Sequence, residues 1–424
     1  MAEKQPLSSV LPPLIFGCAT FNIQYNKDPY ALDTAGLVQE ALQLGVRAFD
    51  TSPYYGPSEE ILGAALDTPF IHEHFPREEY FILTKAGREA SNEFNYSAEW
   101  IRESVKRSLK RLKTTYLDVV YCHDSEFVSP DEVLEAVREL RRIRNEEGTV
   151  KYVGVSGYPI EVLCSLAERV KSETGEPLDI VQSYANFNLQ NTRLATEGVP
   201  RLRAAGVDVV PNASILDLGL LRRAGFAEGA AGDWHPAPSA MRKAIREASD
   251  FCDDHGELIE VIAIRFAIES WIDAGESVGS RGDPASGVPF QRESNERVGG
   301  RRLGVSVMGV SFASELKKTM QVWRSILDGL EDGAETAAKA GRWKKAHEWS
   351  LNRKSAVLLL AEGVRERLGE WVDWTWPSPP PDYTNERKKA IKAKTADGVA
   401  LPTPEVTPEP SSLASSEKKD IPLR

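Results

Sequence analysis

Short apolar runs alternate with amphipathic stretches along most of this chain. The runs at 14–16, 46–49, 80–84, 117–122, 152–155, 179–182, 207–210 and 305–308 have the length and composition of buried strands. Between them, apolar residues fall three or four apart. Leu37, Ala41 and Leu44 make one such series, Ile101, Val105, Leu109 and Leu112 a second, and Val133, Val137 and Leu140 a third. That period is a helix with one face on a core. The punctuation agrees: Asp33 and Ser97 suit N-caps, Pro130 a first helical turn, and Gly45 and Gly148 helix ends. Glu59 and Glu60 favour the positive end of a further helix. Eight strands alternating with helices predict parallel βα units, closed into an α/β fold, the (β/α)8 TIM barrel.

The barrel is expected over residues 11–330, after a flexible N-terminus at 1–10. A Gly, Ser and Arg-rich insertion at 275–304, before strand eight, is expected to be mobile. A helical, aromatic extension at 331–383 offers Trp343, Trp349, Leu358, Leu359 and Leu360 as core contacts, and Trp371, Trp374 and Trp376 to pin the chain to the barrel. The charged, Pro/Ser-rich remainder, 384–424, reads as a disordered tail. An apolar share of 41% supports a sizeable core. With 52 basic against 63 acidic residues the net charge is -11, which argues against nucleic acid or an anionic membrane as a general partner. No run is long enough to span a bilayer and no apolar signal core opens the chain, so a cytoplasmic protein is expected. Cys18, Cys122, Cys164 and Cys252 lack metal or disulfide spacing and read as buried thiols in a reducing compartment. Nothing in the pattern sets an oligomeric state.

Polar residues at the ends of the runs are the candidate chemistry. Asp50 closes the second run and Tyr55 follows five residues later, before the breaker pair Gly56-Pro57. Lys85 closes the third run and His123 the fourth. In a (β/α)8 barrel these C-terminal strand ends are where catalytic groups gather. The stretch Phe49-Asp50-Thr51-Ser52-Pro53-Tyr54-Tyr55-Gly56 resembles the signature loop of the aldo-keto reductases, and Asp50, Tyr55, Lys85 and His123 match that family's four catalytic positions.

The resemblance implies a nicotinamide cofactor, no metal, and a small aldose or aldehyde substrate. Tyr55 would be the general acid/base. Free tyrosine titrates near ~10, so Lys85 would lower its pKa, Asp50 would anchor Lys85, and His123 would orient the substrate oxygen. Ala19 and Thr20 would border the nicotinamide, while Phe21 and Tyr54 would join His123 at the substrate. Gly154-Val155-Ser156-Gly157 resembles the family's Gly-Val-Ser-Asn, so Ser156 would hold the carboxamide although Gly157 replaces the Asn; Gln182 matches the other carboxamide ligand. The stretch from Ala213 to Leu221 resembles Tyr-Ser-Pro-Leu-Gly-x-Gly-Leu-Leu, with Ala213 in place of the stacking ring and Ser214 and Leu216 lining the pyrophosphate. Gly309, Ser311 and Glu315 fall in the adenosine-binding motif after strand eight, with Ser314 as a helix cap. Glu315 stands where a phosphate-binding Arg is usual, which favours NAD over NADP.

His123-Asp124, Gly154 to Tyr158, Ala213-Ser214 and Trp371 to Pro379 are similar to the family's aldose dehydrogenases of the D-arabinose and L-galactose type. That likeness implies oxidation at C1 of a cyclic sugar to its lactone. An NADPH-dependent reductase of small aldehydes, a nicotinamide-binding regulatory subunit and an unrelated phosphate-binding barrel enzyme are the other readings; the complete tetrad argues against the last two.

Overall fold

The computed structural model describes residues 4–225, 235–282, 301–330 and 342–387. Its strands are β1 (Leu14–Gly17), β2 (Ala48–Asp50), β3 (Phe81–Ala86), β4 (Leu117–His123), β5 (Val150–Gly157), β6 (Ile180–Tyr184), β7 (Asn212–Ala213) and β8 (Ser306–Gly309). All pair in parallel and in chain order, and β8 closes on β1 through pairs such as Phe16 with Met308. The helices are α1 (Leu7–Val10), α2 (Thr34–Gln43), α3 (Ser58–Leu66), α4 (Pro69–His74), α5 (Ala98–Arg111), α6 (Pro130–Glu146), α7 (Ile160–Thr174), α8 (Val199–Ala204), α9 (Ser239–Asp254), α10 (Ile259–Ala274), α11 (Ala313–Asp328) and α12 (Arg342–Leu368). This is a (β/α)8 barrel. Asp33 and Ser97 cap where the sequence placed them, accepting from Gly36 N–H and Trp100 N–H, and Pro130 opens its helix behind a Ser129–Glu132 capping box that was not predicted.

The two-residue period of the strands aims the site. Ala48, Leu83, Val119 and Tyr121 belong to the cluster inside the barrel, together with Ile15, Ile180 and Val305. Their neighbours Phe49, Ile82, Val120 and Cys122 belong to the layer under the helices. Two residues beyond Ala48, Leu83 and Tyr121 stand Asp50, Lys85 and His123. All three therefore face inward at the C-terminal end.

Several expectations need correction. Residues 4–10 are not a loose end, because Leu7 and Leu11 are buried in the inner cluster beneath the strands. The seventh strand is not 207–210 but Asn212–Ala213; Val209 makes only an isolated bridge to Ile180. Pro211 follows the valine run and has no N–H to give a ladder. At the insertion, Ser280 bridges Leu303, while 283–300 lie outside the described residues, and with them the expected mobile segment. Among the described residues no helix is long and apolar enough to cross a membrane.

α12 packs on α9 and α10 through Val357, Leu360, Ala361, Val364 and Leu368, against Met241, Ile245, Ala248, Ile259 and Ile262. Those spacings define one face. Trp349, Leu358 and Leu359 lie off it and are exposed, so they are not core contacts; the Trp343 side chain is outside the described set.

From Gly369 the chain runs back along the C-terminal rim. Gln190 Nε2 donates to the carbonyls of Trp371 (2.6 Å) and Trp374 (3.0 Å), and Asp373 Oδ1 accepts from Thr192 N–H at 2.7 Å. Trp376 stacks on Tyr158 with ring centroids 3.8 Å apart, and Ser378 Oγ donates to Glu126 Oε1 at 3.0 Å. Tyr383 meets Phe127 edge-on at 4.9 Å. Asn385, inside the expected tail, is instead buried and bonds both the N–H and the carbonyl of Phe94. Beyond it only Glu386 and Arg387 are described.

Candidate active site

Lys85 is buried, and its Nζ donates to Asp50 Oδ1 at 2.6 Å and to the Thr51 carbonyl at 2.9 Å. The same Nζ lies 4.9 Å from the centre of the Tyr55 ring, and that ring meets His123 edge-on at 5.7 Å. The four tetrad side chains thus converge at the mouth. Burial raises the Asp50 carboxyl, opposed by the charge and hydrogen bond of Lys85 and by Gln182.

The expected lowering of Tyr55 by Lys85 is not expressed. Burial is the largest effect on the phenol and raises it well above its ordinary value, followed by the charges of Asp50 and Asp124; Arg88 opposes them. Lys85 is bonded to Asp50, and at the phenol the loss of solvent and the Asp50 charge prevail over it. Tyr55 in this state holds its proton.

His123 is buried and pushed down to about 3, first by loss of solvent, so it is a neutral imidazole near pH 7. Its Nδ1 lies 3.0 Å from Ser52 Oγ, which also accepts from Tyr54 N–H at 3.1 Å. With that acceptor role filled by a backbone donor, the serine hydroxyl can give its own hydrogen to Nδ1. The Nε2–H is then left for a ligand. Tyr96 adds a 2.6 Å hydrogen bond to the His123 carbonyl. Tyr54 packs 5.8 Å from the imidazole, and the Arg88 guanidinium lies over its ring at 3.7 Å. Arg88 Nη1 bonds Asp124 Oδ2, which is 3.6 Å from His123 Nε2.

Two residues on, Glu126 is buried and pushed up to about 8 by loss of solvent and by the Asp124 charge. Its Oε1 accepts from Tyr158 N–H and Ser378 Oγ. A Cβ added at Gly157 would meet Glu126 Oε2 at 2.4 Å, so this acid occupies the space a side chain at 157 would need. Ser52, Arg88, Asp124 and Glu126 were not predicted as site residues. Their one available signal was position, within a few residues of Asp50, Lys85 and His123.

Among the expected cofactor contacts, Ser156 and Gln182 are buried beside His123, since register pairs His123 with Ser156 and Ser156 with Gln182. Gln182 Oε1 is buried without a hydrogen-bond partner, an acceptor that fits an amide N–H of a nicotinamide carboxamide. Thr20 Oγ1 donates to the Val310 carbonyl at 2.7 Å, and Asn26 Nδ2 bonds the Thr20 carbonyl and Ser311 Oγ, so the exits of β1 and β8 are laced together. Ala19 is half-buried beside them and Gly309 is exposed. Phe21 is fully buried in the outer layer, 6.0 Å from Phe16, and does not form a wall of the substrate site.

Ser214 takes a positive φ of 57° and Leu216 is half-buried in the loop after β7. Asp217 in the same loop is buried, its carboxyl oxygens have no partner, and loss of solvent pushes it up to about 7. Ser314 lies inside α11 and does not cap it. Glu315 instead reaches back, its Oε2 accepting from Ser311 N–H at 2.8 Å.

A closed parallel barrel with Asp, Tyr, Lys and His at one mouth defines a class. The profile of the aldo/keto reductase family matches residues 13–329. The chain belongs to that family and is an oxidoreductase, and such enzymes use NAD(P)H. It is 42% identical over 268 residues to a D-arabinose 1-dehydrogenase of Saccharomyces cerevisiae, covering 63% of this chain and 78% of that protein. An L-galactose dehydrogenase of Arabidopsis thaliana is 34% identical over 239 residues, 56% of this chain and 70% of its own. A D-threo-aldose 1-dehydrogenase of a Pseudomonas species is 25% identical over 310 residues, 66% and 89% of the two chains.

Proposed function

We propose that this enzyme oxidises C1 of an aldose, of the D-arabinose or L-galactose type, to the lactone, with NAD as the preferred cofactor. The observation that carries the reading is Lys85, fixed between Asp50 and the Thr51 carbonyl and set against the Tyr55 ring beside a neutral His123. A bound nicotinamide would supply the hydride acceptor for C1. His123 Nε2–H holds the C1 oxygen, and Tyr55 as phenolate takes the hydroxyl proton. Lys85 gives the forming phenol and phenolate a fixed cation nearby, and Asp50 keeps that cation in place. Ser156 and Gln182 would hold the carboxamide of that cofactor. The dehydrogenases among its relatives support the oxidative direction.

The pH dependence follows from the raised phenol. Only unprotonated Tyr55 can accept the proton, and burial keeps that fraction small at neutrality. For oxidation, kcat/KM of the free enzyme should climb with pH between about 6 and 9 with near-unit slope. His123, already neutral above about 3, should add no break near the usual histidine range. A profile flat above neutrality, or one with a histidine-like step, would count against Tyr55 as the base.

The same raised phenol favours a second reading, reduction of small aldehydes with NADPH, since Tyr55 keeps a proton to donate. A panel of aldoses with NAD and NADP, beside aldehydes with NADPH, decides between them. The highest kcat/KM is expected for an aldose with NAD. Glu315 supports the cofactor choice, because its carboxylate is held at the start of α11, where it would repel a 2′-phosphate. Glu315→Arg should narrow the gap between NAD and NADP. Clear NADP preference in the wild type would overturn the choice.

A further inference from the structure

Two acids follow His123 on one loop, and they are used differently. Glu126 faces the Tyr158 N–H and Ser378, holding the C-terminal stretch to the rim. Asp124 turns the other way. It stands at the N-cap position of the short turn Ser125–Phe127 yet makes no side-chain cap. Its carboxylate bonds Arg88 and sits 3.6 Å from His123 Nε2, the atom assigned above to the reacting oxygen.

We propose that Asp124 and Arg88 form a subsite that reads the hydroxyl on the carbon next to the reacting carbon of the sugar. The inference rests on the aldose reading and names the feature of the substrate that the site recognises. Three observations carry it. The first is reach: an oxygen held by His123 Nε2 leaves the neighbouring carbon's hydroxyl beside the Asp124 carboxylate. The second is rigidity. The Arg88 guanidinium lies 3.7 Å from the Tyr54 ring centre, with Phe94 at 5.4 Å and Phe127 at 5.7 Å, so it is fixed among three aromatic faces. Arginine there offers flat N–H donors, and aspartate beside it offers acceptors. A hydroxyl can satisfy both at once.

The third observation is backbone placement. Asp124 adopts φ 52° and ψ 60°, the left-handed region that Asp and Asn enter more readily than other side chains, and its carboxylate goes to Arg88 and His123 rather than to a cap. An apolar aldehyde would lie against this pair without a hydrogen bond to either member. A sugar hydroxyl donates to the carboxylate and accepts from the guanidinium.

Asp124→Asn is the informative change, because Asn tolerates the left-handed conformation and has the same shape. The measurement is kcat/KM for D-arabinose and for 2-deoxy-D-ribose, which is the same pentose without the 2-hydroxyl. The wild type should favour the hydroxylated sugar by about 100-fold. Asp124→Asn should shrink that ratio to about tenfold or less; the charge it takes away from Tyr55 acts on both sugars alike and cancels in the ratio. Arg88→Lys, which keeps the charge and loses the flat fork, should move the ratio in the same direction. Melting temperature and cofactor binding, followed by protein fluorescence, verify that each variant is folded.

Equal losses on both sugars would make the pair merely structural and overturn the proposal. So would a wild type indifferent to the 2-hydroxyl. If neither sugar is oxidised while aldehydes are reduced, the aldose reading fails separately. The comparison of glycolaldehyde with acetaldehyde then reads the same subsite, and no preference for glycolaldehyde would overturn it.

Discussion

Tyr55→Phe should leave the cofactor bound with unchanged affinity and lower turnover by about 10²- to 10⁴-fold. Only a hydroxyl is removed, and the ring that packs edge-on against His123 and beneath Lys85 Nζ remains. What disappears is the hydroxyl proposed above to exchange the proton with the reacting oxygen. His123, pushed down to about 3, cannot replace it by cycling through imidazolium. Single-turnover rates with aldose and NAD, alongside a cofactor titration, make the check. Substantial residual turnover with normal cofactor binding would mean that another group carries the proton.

A chain ending at Gly369 should be far less stable than one ending at Arg387, and should have little activity. The shortened chain loses Trp371 and Trp374 from the cluster they share with α9, α10 and α12. The Gln190 amide loses both carbonyl partners, at roughly 0.5–1.5 kcal/mol for each hydrogen bond exchanged for water. Trp376 leaves Tyr158, Ser378 leaves Glu126, and Tyr383 and Asn385 leave Phe94 and Phe127. Truncating one buried large aromatic costs about 3–5 kcal/mol, and these rings are only half-buried, so each counts for less. Together the losses still reach about 5 kcal/mol, comparable with the lower end of whole-domain stability. Thermal unfolding of the two chains tests this. A difference of only a few degrees would remove the stretch from the account of stability.

The fold was legible because its signal is local and repeated. Asp50, Lys85 and His123 each end an apolar run, and the strand period alone carries them to the inner face. Tyr55 was legible by spacing within the signature loop. Contacts that join distant parts of the chain left no such trace. Arg88 and Asp124 are 36 residues apart, and Ser378 and Glu126 are 252 apart. No periodicity links such positions.

Phe21 was misplaced because its neighbours Ala19 and Thr20 border the mouth, while the niche beside Phe16 that takes its ring is invisible in a linear reading. α12 carries apolar residues on more than one face, so the choice of Leu360 over Leu359 belongs to α9 and α10. The valine run at 207–210 looked like a strand; Val209 and Pro211 do bond the sixth strand, but the regular strand is Asn212–Ala213. The state of Tyr55 was misjudged for an electrostatic reason. The phenol is governed first by its burial and then by the Asp50 charge, and the extent of burial is a property of the fold rather than of the sequence.

The bond from Asn385 to Phe94 spans 291 positions, and it gives the enzyme an order of completion. Translation delivers Asp50, Tyr55, Lys85 and His123 early, together with Phe94, Phe127 and Tyr158. The residues that cover those rings emerge near the end. A premature stop anywhere between β8 and Trp371 yields a product with every proposed catalytic side chain and an unfinished rim. Such a product carries bare aromatic surface of the kind quality-control machinery captures. The rim around the early residues is therefore complete only once synthesis has passed Asn385.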